Sequence, residues 1–143
     1  MMILMLVFVF TISMNAQKTN IVVAIAKEDT SCSKSTDLAY NISYGDYSTY
    51  ELSKSAVSKV KRKVSNYDST TTIDNIDFGT YLGDYIVVIV GRSKYGRCNV
   101  STYGVGFGHN SSQALKRAIS NLQSRNWNWK KRNGYSVKLD RRL

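Results

Sequence analysis

The sequence predicts an α+β fold: one domain of two tandem β-β-α repeats, with a mainly antiparallel sheet of five or six strands and both helices on one face. Three observations carry this reading. Short apolar runs rich in β-branched residues, the mark of buried strands, stand at residues 21–26 and 85–90. Each is followed by an alternating stretch and then by a segment whose apolar residues recur at helical spacing. The whole order then repeats. Ile21-Val22-Val23-Ala24-Ile25-Ala26 is echoed by Ile86-Val87-Val88-Ile89-Val90-Gly91, Cys32 by Cys98, residues 40–45 by 103–108, and Ser48 with Glu51 by Asn110 with Gln113, at offsets between 62 and 66. Self-similarity in a fixed order is the signature of a duplicated unit.

The first repeat covers residues 20–64. After the strand at 21–26, the polar stretch 27–37 reads as a hairpin loop holding Cys32. Residues 38–45 alternate, with Tyr40, Ile42 and Tyr44 on one face. Ser48 opens a helix, its side chain capping the backbone N–H of Glu51 while Glu51 reaches back. Leu52, Ala56, Val60 and Val64 form its apolar stripe, with Val57 beside them, and Lys59, Lys61, Arg62 and Lys63 load the last turn, where cations suit the helix dipole. Residues 65–84 link the repeats, with Ile73, Ile76 and Phe78 available for a short edge strand.

The second repeat covers residues 85–122. A strand at 85–90 leads to a basic loop at 92–98, a second strand at 100–107 and a helix from Asn110 whose inward stripe is Ala114, Leu115, Ala118, Ile119 and Leu122. Gly104, Gly106 and Gly108 leave one face of its second strand bare, and Trp127 or Trp129 is expected to cover it. Asn133-Gly134 marks a turn before a last strand at 134–140. Tyr40 and Tyr103 test the alignment of the repeats, because they must not lie on opposite faces of the sheet.

Residues 1–14 are almost wholly apolar and carry no charged side chain, a run too short for the roughly 20 residues of a membrane-spanning helix. They fit a signal peptide of residues 1–16, leaving 17–143 as the secreted domain. The apolar run ending in Asn15-Ala16-Gln17 resembles signal peptides of Bacteroidetes-type bacteria, which implies export to the periplasm or beyond the cell. An uncleaved anchor or a buried first strand is the alternative. The two cysteines of an exported chain suggest one disulfide. They occupy equivalent points of the two repeats, and equivalent residues meet near a pseudo-two-fold axis, so the pair is Cys32–Cys98. Two buried free thiols are the alternative.

The net charge of +10 is unevenly spread. Residues 17–90 hold eight Lys and Arg against nine Asp and Glu, whereas residues 91–143 hold twelve against Asp140 alone. Such asymmetry points to an anionic partner, or else to a surface charged for solubility. The most function-like segment is Trp127-Asn128-Trp129-Lys130-Lys131-Arg132: two aromatics two residues apart, sharing a face if extended, then three cations. The other reading of the tryptophans is core. Residues 104–122 resemble the last strand and helix of a double-stranded-RNA-binding domain. That family places lysines where this helix begins with Ser111, Ser112 and Gln113, and export argues against nucleic acid as the partner. His109, the single histidine, has no motif placing a nucleophile or carboxylate beside it, and no metal-ligand spacing or cofactor motif occurs.

The functional expectation is a small exported, non-enzymatic binding module without cofactor. Its surface is centred on Trp129, Lys130, Lys131 and Arg132 with Trp127, helped by Arg92, Lys94 and Arg97. It would engage an anionic envelope polymer, lipopolysaccharide or an acidic protein. Two alternatives stay open: an inhibitor or immunity-type protein that blocks one enzyme through a loop, and a small hydrolase using His109.

Overall fold

A computed structural model describes residues 18–143. The expected signal peptide at residues 1–16 lies outside the described residues. The chain forms a small α+β domain of antiparallel sheets and two helices. Strands β1 (Asn20–Asp29) and β2 (Ser35–Gly45) make a hairpin, helix α1 (Thr49–Lys63) follows, and β3 (Ser69–Asp74) returns to the other edge of β1. A two-stranded ribbon, β4 (Ile76–Asp77) and β5 (Thr80–Tyr81), leads on. Then β6 (Tyr85–Tyr95), β7 (Cys98–Gly108), α2 (Ser111–Arg125) and β8 (Tyr135–Arg142) follow the same order, again with the first strand central.

The strands build two three-stranded sheets, β2-β1-β3 and β7-β6-β8, not one sheet of five or six. The cause lies in the central strands. In β1 the odd residues Ile21, Val23 and Ile25 pack against Ile86, Val88, Val105 and Phe107, while the even residues Val22, Ala24 and Ala26 pack against Leu52, Ala56 and Val60 of α1. In β6 the even residues share the core between the sheets, and Val87 and Ile89 meet Ala114, Ala118 and Leu122 of α2. Strands apolar on both faces need cover on both faces. The helices therefore sit on opposite outer faces, in the order α1, sheet, sheet, α2, which corrects the expectation of both helices on one face and of a second face left open. Tyr40 and Tyr103 both point into the core between the sheets and meet edge to face, with centroids 5.0 Å apart.

Three local expectations change as well. The first unit gains a strand directly after its helix, as the second does at the expected last strand, β8. Thr70, Thr71 and Thr72 of β3, within the supposed linker, pair with Ala26, Ile25 and Ala24, because the free edge of β1 offers unpaired backbone groups that a β-branched stretch can satisfy. The basic stretch 92–98 is mostly strand: Arg92 pairs with Ser101 and Lys94 with Asn99, and the turn narrows to Gly96 and Arg97. Phe78 is not in a strand. It sits at the tip of the β4–β5 ribbon with φ +46°.

The helix starts are as expected. Ser48 accepts from Glu51 N and its own N–H donates to Glu51, a capping box; Asn110 accepts from Gln113 N. The glycine face of β7 is covered by α2 and not by a tryptophan. A Cβ on Gly106 would fall well inside contact with the Ala114 carbonyl oxygen and the Ala118 backbone. Glycine opposite alanine lets the helix backbone lie almost on the strand.

Between the units, Cys32 and Cys98 form a disulfide with Cα atoms 6.1 Å apart. Asp37, buried on β2, accepts from the Tyr103 backbone N–H and from both terminal nitrogens of Arg125 on α2, at 2.7 to 3.1 Å. Asn75 pins the connection between units: its side chain accepts from Ile21 N and donates to the carbonyls of Thr19 and Gly83.

Candidate functional site

One end of the second sheet collects most of the basic residues singled out above. The β6–β7 turn lies there, and so does the segment that carries the chain from α2 into β8, because Tyr135 pairs with Gly91. Beyond Gly91, β6 runs on past the end of β8 and past the sandwiched core. Side chains alternate along this extension. Arg92 and Lys94 project from the face that farther along packs on the first sheet, both exposed, and Ser93 and Tyr95 project from the helix-side face.

The two tryptophans part company. Trp129 is 1% exposed, packed with Leu122 and Ile89, and its indole N–H donates to the Gly134 carbonyl at 2.9 Å. It lies over Gly91, where a Cβ would come within 2.6 Å of the indole nitrogen. Trp127 is 62% exposed and meets Tyr95 edge-on at 6.2 Å. The residues are not extended here: 127 and 128 form a turn, so the two rings do not share a face. Asn126 makes that turn rigid. Fully buried, it donates to the hydroxyls of Ser93 and Thr102 and accepts from Asn128 N. Trp129 therefore belongs to the core, and only Trp127 is available at the surface.

Two shallow hollows adjoin on the Arg92 side. One, of about 490 Å³, is lined by Arg92, Lys94, Asn99, Ser101 and Asn133 together with Ser93 and Val100. The other, of about 360 Å³, runs toward β8 and is lined by Arg92, Asn133, Ser136 and Lys138 with Val90, Gly134 and Tyr135. Arg92 and Asn133 border both. No carboxylate lines either hollow. The ion pairs Arg125–Asp37 and Arg142–Asp84 draw on other cations. The Asn133 amide oxygen accepts from Lys130 N, closing the single helical turn at Lys131–Asn133 and leaving its NH2 group as a donor. Lys130, Lys131 and Arg132 are exposed on that turn, and Arg97 is exposed at the tip of the β6–β7 hairpin.

The structure thus brings Arg92, Lys94, Arg97, Trp127, Lys130, Lys131 and Arg132 to one end of the molecule, with Arg92 between the two hollows. Sequence reasoning missed Asn99, Ser101, Asn133, Ser136 and Lys138. The signal for the first two was the alternation of Arg92 and Lys94 two residues apart, which belongs to a strand and implies a partner strand carrying residues on the same face.

His109 lies at the opposite end of the sheet. Its backbone N–H donates to Gln113 and its carbonyl accepts from Arg142, while its ring sits 6.4 Å from that of Tyr81. The neighbouring Asp140 is held by the hydroxyls of Tyr85 and Ser111. Among the described residues the His109 ring hydrogen-bonds to neither a hydroxyl nor a carboxylate, and no three metal-binding side chains gather. No helix among the described residues is long and apolar enough to cross a membrane. Comparison with known protein families, with characterised proteins and with solved structures finds no match.

Proposed function

We propose that this protein is an exported, non-enzymatic binding module whose basic second unit engages an anionic polymer of the cell envelope. The observation that carries this reading is the pair of adjoining hollows around Arg92, bordered by cations and neutral polar groups and by no carboxylate. A cation cluster without acids repels itself, and an anion relieves that repulsion. The unequal charge of the two halves steers such a partner to this end of the molecule. The disulfide accords with an oxidising compartment. The two units of strand, strand, helix, strand are read as copies of one duplicated repeat.

The test is a calorimetric titration of the oxidised protein with dextran sulfate at low and high salt. Saturable binding, weakened at least tenfold by Arg92→Ser with Lys94→Ser and lost at high salt, is the expected result. Equal binding by this double variant would remove the site from consideration.

One observation favours a second reading, an inhibitor or immunity-type protein that blocks a single enzyme. Phe78 is 102% exposed on a two-residue hairpin tip with φ +46°, followed by Gly79 at φ +79°. A large apolar side chain held in a costly backbone conformation at the end of a ribbon is suited to entering a pocket on another protein. That reading requires stoichiometric, salt-insensitive binding that Phe78→Ala abolishes and Arg92→Ser leaves intact.

A further inference from the structure

We infer that the basic surface is a carbohydrate site with two subsites, one on each side of Arg92, and that its ligand is a linear acidic glycan bearing carboxylates on successive sugars. The inference rests on the anion-binding reading above and narrows it. Three cations, Lys94, Arg92 and Lys138, follow one another across the two hollows. Lys138 is the extra residue of a bulge opposite residues 88 and 89 of β6, so the row extends roughly 18 Å along the strand direction at about 3.3 Å per residue. A single sugar ring cannot reach from one end to the other; an oligomer can.

The neutral groups distinguish a glycan from other polyanions. The Asn99, Ser101 and Ser136 side chains form no hydrogen bond among the described residues, and the Asn133 NH2 group is likewise uncommitted. Hydroxyl and amide groups both donate and accept. Sugar hydroxyls have the same double character, so they match such a lining. A polyphosphate offers only acceptors and would leave the accepting half of these groups unused. The Arg92 fork, shared by both hollows, suits a planar carboxylate at the junction.

The experiment is calorimetric titration of the oxidised protein, at low salt, with galacturonic acid, tetragalacturonate and inorganic tetraphosphate. Tetragalacturonate is expected to bind at least tenfold more tightly than the monosaccharide and more tightly than tetraphosphate. Lys138→Ser should weaken the tetramer several-fold. Asn99→Ala, a neutral change on an exposed strand residue, should weaken the tetramer by a larger factor than it weakens tetraphosphate, which can use only the donating half of the amide. An unchanged melting temperature shows that both variants fold. Tetraphosphate binding as tightly as the glycan overturns the carbohydrate assignment and leaves the anion-binding reading standing. Equal affinity for the monomer and tetramer overturns the two subsites. Failure of every anion to bind overturns both this inference and the reading beneath it.

Discussion

At position 106 a methyl group has nowhere to go. Its Cβ would meet backbone atoms of Ala114 and Ala118, which cannot swing aside as a side chain can. Gly106→Ala must push α2 off β7 and is expected to cost about 3 kcal/mol or more, at the upper end of overpacking penalties, measurable as a fall in the urea midpoint. Burial acts differently on Tyr40 and Tyr103, whose rings meet in the core between the sheets. It raises both phenol pKa values above the ordinary 10.0, and the Tyr40 and Asp37 charges add to the rise at Tyr103. The protonated phenols are thus favoured in the folded state. Their contribution is fully present below pH 10, where both states keep the proton, and it is lost as the pH climbs through the raised folded values. Stability is expected to fall on the alkaline side of pH 10, and Tyr40→Phe should flatten that fall in denaturant titrations run across this range.

The elements follow their own local signals where those signals are complete. Ser48 with Glu51 specifies the start of α1 through two reciprocal hydrogen bonds, whereas at the start of α2 Asn110 accepts from Gln113 N and the Gln113 side chain accepts from the neighbouring His109 N. Residues 92–95 were harder to read, since a polar, basic stretch resembles a loop. They hold strand conformation because the ladder to residues 98–101 satisfies their backbone groups, whatever their side chains prefer. Thr70, Thr71 and Thr72 of β3 are a similar case, recruited by the open edge of β1. The β4–β5 ribbon shows the reverse conflict. Two central turn residues with positive φ call for Asn-Gly, and the chain places Phe78-Gly79 there. Phe78→Asn is expected to stabilise the fold by about 0.5–1 kcal/mol, seen as a higher melting temperature. A loss of stability would mean that Phe78 makes contacts its full exposure denies.

Across the whole molecule, two devices hold the units in register. One is the Asp37–Arg125 pair with its bond to Tyr103, where the carboxylate side chain is only 3% exposed and takes three hydrogen bonds. The other is the Cys32–Cys98 bridge, which spans 66 residues. Closing a loop of that length contributes ~4 kcal/mol in the chain-entropy treatment. Reduction, or Cys32→Ser with Cys98→Ser, is expected to lower the unfolding free energy by about that amount while leaving the circular dichroism of the folded state unchanged, since each sheet keeps its own core. A loss of folded signal at ordinary temperature would show that the bridge is required for the sandwich to form at all.

The sequence by itself determined what depends on near neighbours and on the recurring order of its segments. The two helix caps, the buried first strand of each unit, the turn at Asn133-Gly134 and the pairing of Cys32 with Cys98 were all readable, because each rests on spacing or on that recurrence along the chain. Only the tertiary structure decided that the strands divide into two sheets. Local periodicity says that β1 and β6 are apolar on both faces, and it cannot say whether a helix or another sheet covers each one. The same limit separated Trp127 from Trp129. Two residues apart in the chain, they were sorted into surface and core by Gly91, far away in sequence, whose missing side chain opens the space that one indole fills. That sorting, together with the pairing that carries β6 beyond the core, places Arg92 at the junction of the two hollows. Such a junction is a relation among three strands, and no single stretch of the chain contains it.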